Sequence, residues 1–424
     1  MIDTIFALSS GRPPAAISVI RISGAHAHLA AESLAGRLPA PRTAGVRELR
    51  NPNTGELLDE ALVLRFDGPA SATGENVVEF QCHGGRAVVD AILETLGTIA
   101  GLRQAQPGEF TRRAFENGRI DLTEAEGLAD LIEAETESQR RAALAVAEGG
   151  LRRQIERWQE RLLVLSAQAE RAIDYDDENG GIDRGLLRDA DELANELGEW
   201  LSKPRVEPLK DGVLVVVAGP PNAGKSSLIN AISGEDRAIV TDIPGTTRDH
   251  IEVPLSLGGL PIRLTDTAGL RVADDRIEAI GVERAGRLID AADVLVWLGD
   301  PSEAPRHPRA VKILPKADLA SRAPGAGGLP VSSLTGEGMT ELLAEIERLA
   351  RFILPADDAL SLNRRQATHL HEAASALDGI NACVDLVLAA EKLRVARVAF
   401  DQLTGRAGVE DVLDTLFSRF CLGK

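Results

Sequence analysis

The chain has 424 residues and a formal net charge of −18, with 44% hydrophobic and 3% aromatic residues. This length exceeds one ordinary domain, so two or three domains are expected, with cores built mainly from aliphatic side chains. The acidic balance argues against a surface that binds nucleic acid over its whole extent, so an RNA contact requires a local patch or a partner. Cys82, Cys383 and Cys421 are odd in number and lack a CxxC pair, which indicates a reducing compartment and argues against a disulfide scaffold or a zinc site.

Residues 1–118 mix strand-like runs with turns. The opening MIDTIF has no basic segment typical of a signal peptide, and no apolar run of the chain is long enough to cross a membrane, so a cytoplasmic location is expected. The runs AAISVIRISG, EALVLRFDGP and GENVVEFQCHGG predict strands, and GGRAVVDAILETLGTI predicts a helix. These elements indicate an N-terminal α+β domain.

Helical periodicity begins at about residue 119 and continues to 208. Thr123 and Glu126 have the spacing of a capping box. A second helix is predicted by an apolar stripe with spacings of three or four residues. The stripe consists of Ile155, Trp158, Leu162, Leu165, Ala169 and Ile173.

Strands and helices alternate over residues 209–354, a pattern typical of a parallel sheet with crossover helices. Helical periodicity returns over residues 355–424. Because the termini of a compact domain usually lie close together, one domain can be inserted into another. We therefore predict an all-α helical domain, formed by residues 119–208 and 355–424, that is interrupted by an inserted α/β domain.

The run VLVVVAGPPNAGKSSLIN carries the pattern GxxxxGK[ST]. The glycines let the loop wrap a phosphate with backbone N–H groups. Lys225 would reach the β and γ phosphates, and Ser226 would bind Mg²⁺. The other interpretation is an ordinary glycine turn, but the apolar strand before the loop and the helix after it are the context that this motif requires.

Two later segments bear on the identity of the nucleotide. Asp266 follows an apolar strand, where it suits direct or water-mediated Mg²⁺ binding, and the Gly269 N–H can follow the γ phosphate. Pro315-Lys316-Ala317-Asp318 differs from the [NT]-K-x-D motif of GTPases at its first residue. Asp318 can accept from the N1–H and 2-amino groups of guanine, whereas Pro315 offers no side-chain hydrogen bond. We expect guanine preference with weakened affinity.

The residue that orients the attacking water does not follow from the chemistry of the sequence. Leu270 stands where GTPases of the Ras type carry a glutamine, and a leucine cannot orient water. Thr246 or Thr247 could close over Mg²⁺. Several carboxylates in DDRIEAIGVERAG are candidates for orienting the water, and the residue types alone do not show which of them does so.

The chain resembles the MnmE (TrmE) family of tRNA-modification GTPases over nearly its whole length. The resemblance depends on GPPNAGKSSLIN, TDIPGTTRD, DTAGLR and GVERAG in the insert, on ATGENVVEFQCHGG and QPGEFTRRAFENGRIDLTEAEGLADLI near the N-terminus, and on the closing FCLGK. It implies three domains: a folate-binding and dimerisation domain over residues 1–118, the divided helical domain, and a P-loop GTPase (G) domain over residues 209–354.

The resemblance also implies an activity and partners. Members form homodimers whose GTP hydrolysis drives a conformational cycle. With a flavoprotein partner of the MnmG (GidA) type, they modify carbon 5 of the wobble uridine of certain tRNAs. A 5-formyl or methylene tetrahydrofolate supplies the one-carbon unit.

Residue roles in the G domain follow from the same resemblance. Asn222 matches a K⁺ ligand, Ser226 and Thr247 match the Mg²⁺ ligands, and Glu278 matches the carboxylate that positions water. Thr241, Ile243 and Thr246 match the rest of the K⁺ loop. Lys225, Asn222 and Glu278 are the implied catalytic residues. The implied GTP contacts are Asn222, Ala223, Gly224, Lys225, Ser226, Ser227, Thr241, Asp242, Ile243, Pro244, Gly245, Thr246, Thr247, Asp266, Thr267, Ala268, Gly269, Lys316, Asp318, Ser332, Ser333 and Leu334.

For the N-terminal domain, the resemblance implies a folate site formed by Arg21, Glu79, Arg119 and Lys424, with Cys421 as a further candidate. A folate has a glutamate tail that suits cations and a pterin ring that suits a carboxylate or amide partner. The C-terminal tail would then return to the N-terminal domain and complete the pocket. Cys421 could instead simply pack beside its apolar neighbours.

Two other functions are compatible with parts of the sequence. A GTPase switch of the ribosome-assembly type would need no folate site. A folate-dependent one-carbon transferase would work without GTP. The N-terminal motifs argue against the first, and the phosphate-binding motif argues against the second.

Overall fold

The computed structural model describes residues 3–174, 183–234, 252–267, 278–319, 327–356, 359–383, 385–407, 410–420 and 423, and for 278–284 and 410–411 only the helical backbone. The chain forms two compact units. The N-terminal unit comprises Met1–Ala129 and Asp401–Lys424, and the central unit comprises Asp130–Phe400. The predicted domain boundaries at residues 118, 208 and 354 stay predictions.

The N-terminal unit is built on a six-stranded sheet. Its strands are β1 (Thr4–Leu8), β2 (Ile17–Ser23), β3 (Gly45–Arg50), β4 (Leu57–Phe66), β5 (Val77–His83) and β6 (Leu102–Gln104). Its helices are α1 (Ala27–Ala35), α2 (Arg86–Gly97), α3 (Glu109–Glu116), the start of α4 (Leu122–Glu133), and α14 (Glu410–Ser418). The strand order is β3-β4-β5-β2-β1-β6, and every pairing is antiparallel except β1 with β6.

The two faces of this sheet differ. One face carries the core, in which Phe6, Ile20 and Phe80 pack with residues of α1 and α2. Because side chains alternate along a strand, the residues between them point to the other face. That second face is covered near β1 by Phe110 of α3, which packs with Ile5 and Ala7. Over β2, β5 and β4 its side chains stay half-buried.

A charged cluster holds α3 against the sheet. Arg113, which is 6% exposed, donates to the Glu75 carboxylate at 3.2 Å, to Asp3 Oδ1 at 3.0 Å and to Glu109 Oε1 at 3.0 Å. Arg103 donates to both Asp3 and Glu109. Hydrogen bonds from Arg103 hold the pKa of Asp3 below its ordinary value. Burial tends to raise the pKa of Glu109, but donors from Arg103, the Gln106 backbone and Arg113 together lower it.

The central unit contains a second six-stranded sheet and most of the helices. The strands are β7 (Val213–Ala218), β8 (Glu252–Leu257), β9 (Leu260–Asp266), β10 (Val294–Leu298), β11 (Ala310–Pro315) and β12 (Leu329–Val331). The helices are α5 (Glu137–Ala147), α6 (Gly150–Asp174), α7 (Arg184–Ser202), α8 (Glu207–Asp211), α9 (Lys225–Ile232), α10 (Glu278–Ala291), α11 (Met339–Ile353), α12 (Arg364–Asp378), a 3₁₀ turn (Gly379–Ala382) and α13 (Leu386–Thr404). The strand order is β12-β11-β10-β7-β9-β8, and only the β8–β9 pairing is antiparallel.

Helices α6 and α7 and the end of α13 share an aromatic core. Trp158 meets Trp200 edge to face, with ring centroids 5.3 Å apart, and stacks on Phe400 at 6.1 Å. Its indole N–H donates to Glu196 at 2.8 Å. The polar edge of the largest buried side chain is therefore satisfied, as a buried indole requires.

The structure confirms the predicted fold class, an α+β domain, a helical domain and a P-loop α/β domain in one chain. Two local predictions are wrong. The start of α4 is capped by Asp121 and Glu124, which exchange hydrogen bonds with each other's backbone N–H groups at 2.9 and 2.8 Å, so the box lies two residues before Thr123 and Glu126. Ile173 is 38% exposed and lies outside the buried stripe of α6. Among the helices that the structure describes, none combines the length and the apolar character needed to cross a bilayer.

Candidate functional site

The phosphate loop lies between β7 and α9, as the motif predicts. At Gly219 φ is +154°, and a Cβ there would lie 2.3 Å from the Leu298 carbonyl oxygen, so the position requires glycine. Lys225 folds back over the loop, where its Nζ donates to the carbonyls of Gly219 at 3.0 Å and Pro220 at 2.9 Å. The ammonium is therefore fixed at the mouth of a closed loop, at the N-terminal end of α9, where a phosphate would be stabilised.

Two of the residues predicted to bind Mg²⁺ lie side by side, Ser226 in the first turn of α9 and Asp266 at the end of β9. Val217 of β7 is in register with Asp266 of β9. Ser226 Oγ donates to Asp266 Oδ2 at 2.9 Å, and Thr267 Oγ1 donates to the Val217 carbonyl at 3.3 Å. A hydroxyl and a carboxylate that converge beside a phosphate loop are the hard oxygen donors that Mg²⁺ prefers, so the residues present fit that ion.

The predicted base-recognition residues also come together. Lys316, in the left-handed region at φ +62°, donates from Nζ to the Asn222 carbonyl at 3.1 Å, and Asn222 itself has φ +61°. The buried Ser332 hydroxyl donates to Asp318 Oδ1. That hydroxyl accepts from the Leu334 and Thr335 N–H groups at 3.3 and 3.2 Å.

These contacts join the Asp318 carboxylate, which follows β11, to the loop after β12. Of the other predicted GTP contacts, Ala223 lies on the phosphate loop, the exposed Ser227 on α9 and the exposed Ser333 on the loop after β12.

Pro315 ends β11 beside the phosphate loop. It lines a cavity of about 280 Å³ together with Asn222, Lys316 and Leu319. A proline side chain carries neither donor nor acceptor, so this wall of the cavity is apolar. The departure from the GTPase motif therefore lies where the base-recognition loop meets the phosphate loop.

The strand that carries Asp266 is joined to the helical part of the central unit. Its hairpin turn with β8, at Gly258 and Gly259, receives two hydrogen bonds from Ser138 of α5, from the backbone N–H at 3.3 Å and from Oγ at 2.8 Å, both to the Gly259 carbonyl. Gly258 has φ +57°, and a Cβ there would lie 2.4 Å from Glu347 Oε1 of α11. The turn is held between α5 and α11.

Several predicted site residues lie outside the described residues. They are Thr241, Asp242, Ile243, Pro244, Gly245, Thr246, Thr247, Ala268, Gly269, Cys421 and Lys424. Glu278 begins α10, but its side chain also lies outside the described part. The roles predicted for these residues stay predictions.

In the N-terminal unit, Arg21 and Glu79 are direct cross-strand neighbours on β2 and β5. Arg21 Nε donates to Glu79 Oε1 at 2.9 Å, and its guanidinium lies 5.6 Å from the centre of the Phe110 ring. Arg119 is exposed and follows α3. Its Cγ would lie 3.2 Å from a Cβ added at Gly74, so it lies beside the TGEN segment.

The C-terminal tail returns to the same sheet at Gly423. This glycine is buried, with φ +95°, and a Cβ there would lie 2.1 Å from the Leu8 carbonyl oxygen. Its own carbonyl accepts from Ser9 Oγ at 2.8 Å. Sequence reasoning did not find Ser9, because nothing local relates it to a residue 414 positions away.

A glycine loop closed over by a lysine, between a parallel strand and a helix and with a serine and an aspartate beside it, defines a P-loop nucleotide-binding domain. Two family models together match most of the chain: "MnmE helical domain" over residues 122–421, a range that spans this site, and "GTP-binding protein TrmE N-terminus" over residues 4–119. The chain belongs to the MnmE family of tRNA modification GTPases.

Curated relatives are similar over the full length. The "tRNA modification GTPase MnmE" of Erythrobacter litoralis is 53% identical over 427 residues, covering 100% of both chains. The protein of the same name from Zymomonas mobilis is 49% identical over 432 residues, covering 99% of this chain and 100% of the relative. Among solved structures, the G domain of the FeoB iron transporter of T. maritima is 28% identical over 32% of this chain and 98% of its own, with a TM-score of 0.24.

Proposed function

We propose that this protein is a K⁺-stimulated GTP hydrolase that takes part in modification of tRNA. With a flavoprotein of the MnmG type, it helps to add a carboxymethylaminomethyl or aminomethyl group to C5 of the wobble uridine (U34) of certain tRNAs. A tetrahydrofolate derivative, 5-formyl or methylene, is the proposed one-carbon donor. The protein acts as a homodimer in the cytoplasm.

The observation that carries the proposal is the phosphate loop in a chain that is similar to MnmE proteins from end to end. The contacts of Lys225 with the Gly219 and Pro220 carbonyls hold its charge at the place that the phosphates would occupy. GTP would exchange these carbonyls for phosphate oxygens. Ser226 and Thr247 would hold Mg²⁺, which when bound neutralises charge on the phosphates.

The nucleophile in the proposed reaction is water. Glu278 orients it, since Leu270 cannot, and Lys225 stabilises negative charge that develops on the phosphate oxygens. Asn222, with Thr241, Ile243 and Thr246, would hold K⁺. The left-handed backbone of Asn222 and the hydrogen bond from Lys316 to its carbonyl fix the loop at this position.

Base selection in the proposed reaction depends on Asp318. The hydroxyl of Ser332 orients this carboxylate, which then accepts from the N1–H and 2-amino groups of guanine. Lys316 covers the base with its aliphatic stem. Pro315 weakens guanine recognition, because its side chain cannot form the hydrogen bonds that the asparagine of the GTPase motif would form at this position.

The proposed folate site lies on the half-buried sheet face of the N-terminal unit. Arg21 and Arg119 are cations suited to the glutamate of a folate, and Glu79 is a carboxylate suited to its pterin. The Ser9–Gly423 hydrogen bond supports a role for the C-terminal tail, including Lys424 and the candidate Cys421. When bound, the tetrahydrofolate supplies the one-carbon unit, and these residues hold and orient it.

The test of K⁺ dependence is GTP turnover with Na⁺ exchanged for K⁺ at constant ionic strength. We expect turnover to rise at least tenfold in K⁺, because a cation beside the phosphates stabilises developing charge. Asn222→Ala should lose this difference. Asn230→Ala, at an exposed position of α9, is the matched control and should keep it. Equal rates of the unaltered protein in the two salts would remove the role given to Asn222.

The test of the folate site is deletion of residues 421–424. We expect calorimetric titration with 5-formyltetrahydrofolate to show affinity at least tenfold weaker, with GTP binding unchanged. Unaltered folate affinity would contradict the role of the tail. If the full chain binds no folate at all, a GTPase switch of the ribosome-assembly type becomes the better account.

A further inference from the structure

We infer that Gln81 is a ligand-binding, specificity-determining residue of the site proposed for tetrahydrofolate, where its amide pairs with the edge of the pterin ring. The inference depends on the proposed function, since it adds a residue to that site. It follows from the register of the N-terminal sheet, which places Gln81 beside Glu79 on β5 and two strands away from Ser9, where the C-terminal tail is bound.

Two neighbouring rows of side chains cross the half-buried face. In the first row, Arg21 is in register with Ala7 on one side and Glu79 on the other. In the second row, Gln81 is in register with Val19 and Leu62. Residues two positions apart on a strand share a face and lie about 7 Å apart, so Gln81 stands beside Glu79 on the same surface.

The second row leads to the C-terminal tail. Ser9 donates from its backbone N–H to the Val19 carbonyl at 2.7 Å, which continues the row onto the end of β1. Ser9 Oγ then donates to the Gly423 carbonyl. Two strand spacings, about 10 Å, separate Gln81 from Ser9. A flat ligand that lies over Val19 would therefore meet the tail on one side and Gln81 on the other.

The amide of Gln81 is available for such a ligand. Within the part of the chain that the structure describes, this side chain makes no hydrogen bond. It is half-buried, between the half-buried Val19 and Leu62. Neither polar atom of this amide is among the buried atoms that lack a partner, so the amide is open to solvent and can exchange water for a ligand.

The chemistry of the amide suits a pterin better than a second carboxylate would. A pterin edge carries N–H and amino donors next to a carbonyl acceptor, and an amide can both donate and accept, whereas a carboxylate only accepts. Glu79 is already the acceptor of Arg21. Gln81 can therefore supply the donor that the ring carbonyl needs, and Val19 and Leu62 can cover the ring face.

The test is calorimetric titration of the full chain with 5-formyltetrahydrofolate. Gln81→Leu removes the amide and keeps similar size, and we expect its affinity to be about tenfold weaker, as for loss of a well-formed hydrogen-bonded pair. Gln104→Leu is the matched control. Gln104 is in register with Phe6 and so lies on the opposite face of the same sheet, and its replacement should leave affinity within twofold of the unaltered chain.

Arg21→Ala separates failure of the inference from failure of the proposed function. Consider an unaltered chain that binds the folate and an Arg21→Ala variant that does not. If Gln81→Leu then binds as tightly as the unaltered chain, the inference is wrong and the folate site stands. If the unaltered chain does not bind, both fail. Gln81→Leu should unfold at the same temperature as the unaltered chain. Weaker binding can then be attributed to loss of the contact with the folate and not to a damaged fold.

Discussion

The two sheets of this protein place their candidate sites in different ways. In the central sheet, Lys225 and Ser226 belong to one short motif, and Asp266 joins them because parallel strands end at one edge. In the N-terminal sheet, Ser9, Arg21 and Gln81 come from distant parts of the chain that antiparallel pairing brings together, and a hydrogen bond from Ser9 adds Gly423. A phosphate site can be read from a motif because backbone N–H groups of one loop form it. A site made of cross-strand neighbours has no such local pattern.

The largest expected effect separates the two sites. Lys225→Ala should lower GTP turnover on the order of 10³-fold, because it removes the cation that faces the phosphates. Folate affinity should be unchanged. Phosphate release and folate calorimetry measure the two sites in the same preparation. The control is Lys312→Ala, since Lys312 lies on β11 and donates from Nζ to the Pro301 carbonyl. An equal loss of GTP turnover in this variant would contradict the role given to Lys225.

The next effect concerns the stability of the N-terminal sheet. Arg113→Met would remove the buried cation from Glu75 and Glu109, of which Glu109 keeps Arg103, and should lower the free energy of unfolding of that unit by about 3–5 kcal/mol. Arg112→Met, one residue earlier but 43% exposed and paired with Glu116, should cost less than about 1 kcal/mol. Hydrogen exchange of the β1 and β6 amides in urea would measure both. Similar losses would mean that the buried cluster adds no more than surface pairs.

A smaller effect is expected at the base-recognition end of the central site. Pro315→Asn should tighten GDP binding about tenfold, the equivalent of one added hydrogen-bonded pair. Fluorescence titration with a labelled GDP would measure it. Pro330→Asn, at an exposed position of β12, should leave affinity unchanged. If Pro315→Asn does not bind more tightly, the proline is not what limits guanine recognition.

The smallest effect is a dependence of N-terminal stability on acid. The pKa values of Asp3 and Glu109 are lowered from ordinary values of 3.8 and 4.5. Their stabilisation is therefore complete above those values and is lost as the pH falls through the lowered pKa values. Thermal unfolding should be followed between pH 6 and pH 3. The unfolding temperature of the N-terminal unit should begin to decrease once the pH drops below about 4.5. Glu109→Gln should flatten this fall, and an unchanged slope would contradict it.

Much of the fold followed from local patterns. The strands β2, β4 and β5, the helix α2, and the strand–loop–helix of the phosphate site lie where alternation, helical periodicity and glycine placement predicted them. The cap of α4 was predicted wrongly because Thr123 and Asp121 both suit an N-cap position. The helix begins at Leu122, so Asp121 is the residue that caps it. Ile173 fits the helical stripe, but at 38% exposed it lies past the buried part of the stripe, which ends at Ala169.

Local sequence patterns were sufficient to predict the class of the central domain and most residues of its phosphate site, because one loop and one helix turn contain the chemistry. The folded chain was needed to show that Ser9 binds Gly423, that Gln81 lies in the row beside Arg21 and Glu79, and that Arg113 is buried among three carboxylates. Register depends on how distant strands pair, and a one-residue shift in pairing would turn Arg21, Glu79 and Gln81 to the opposite face of the sheet.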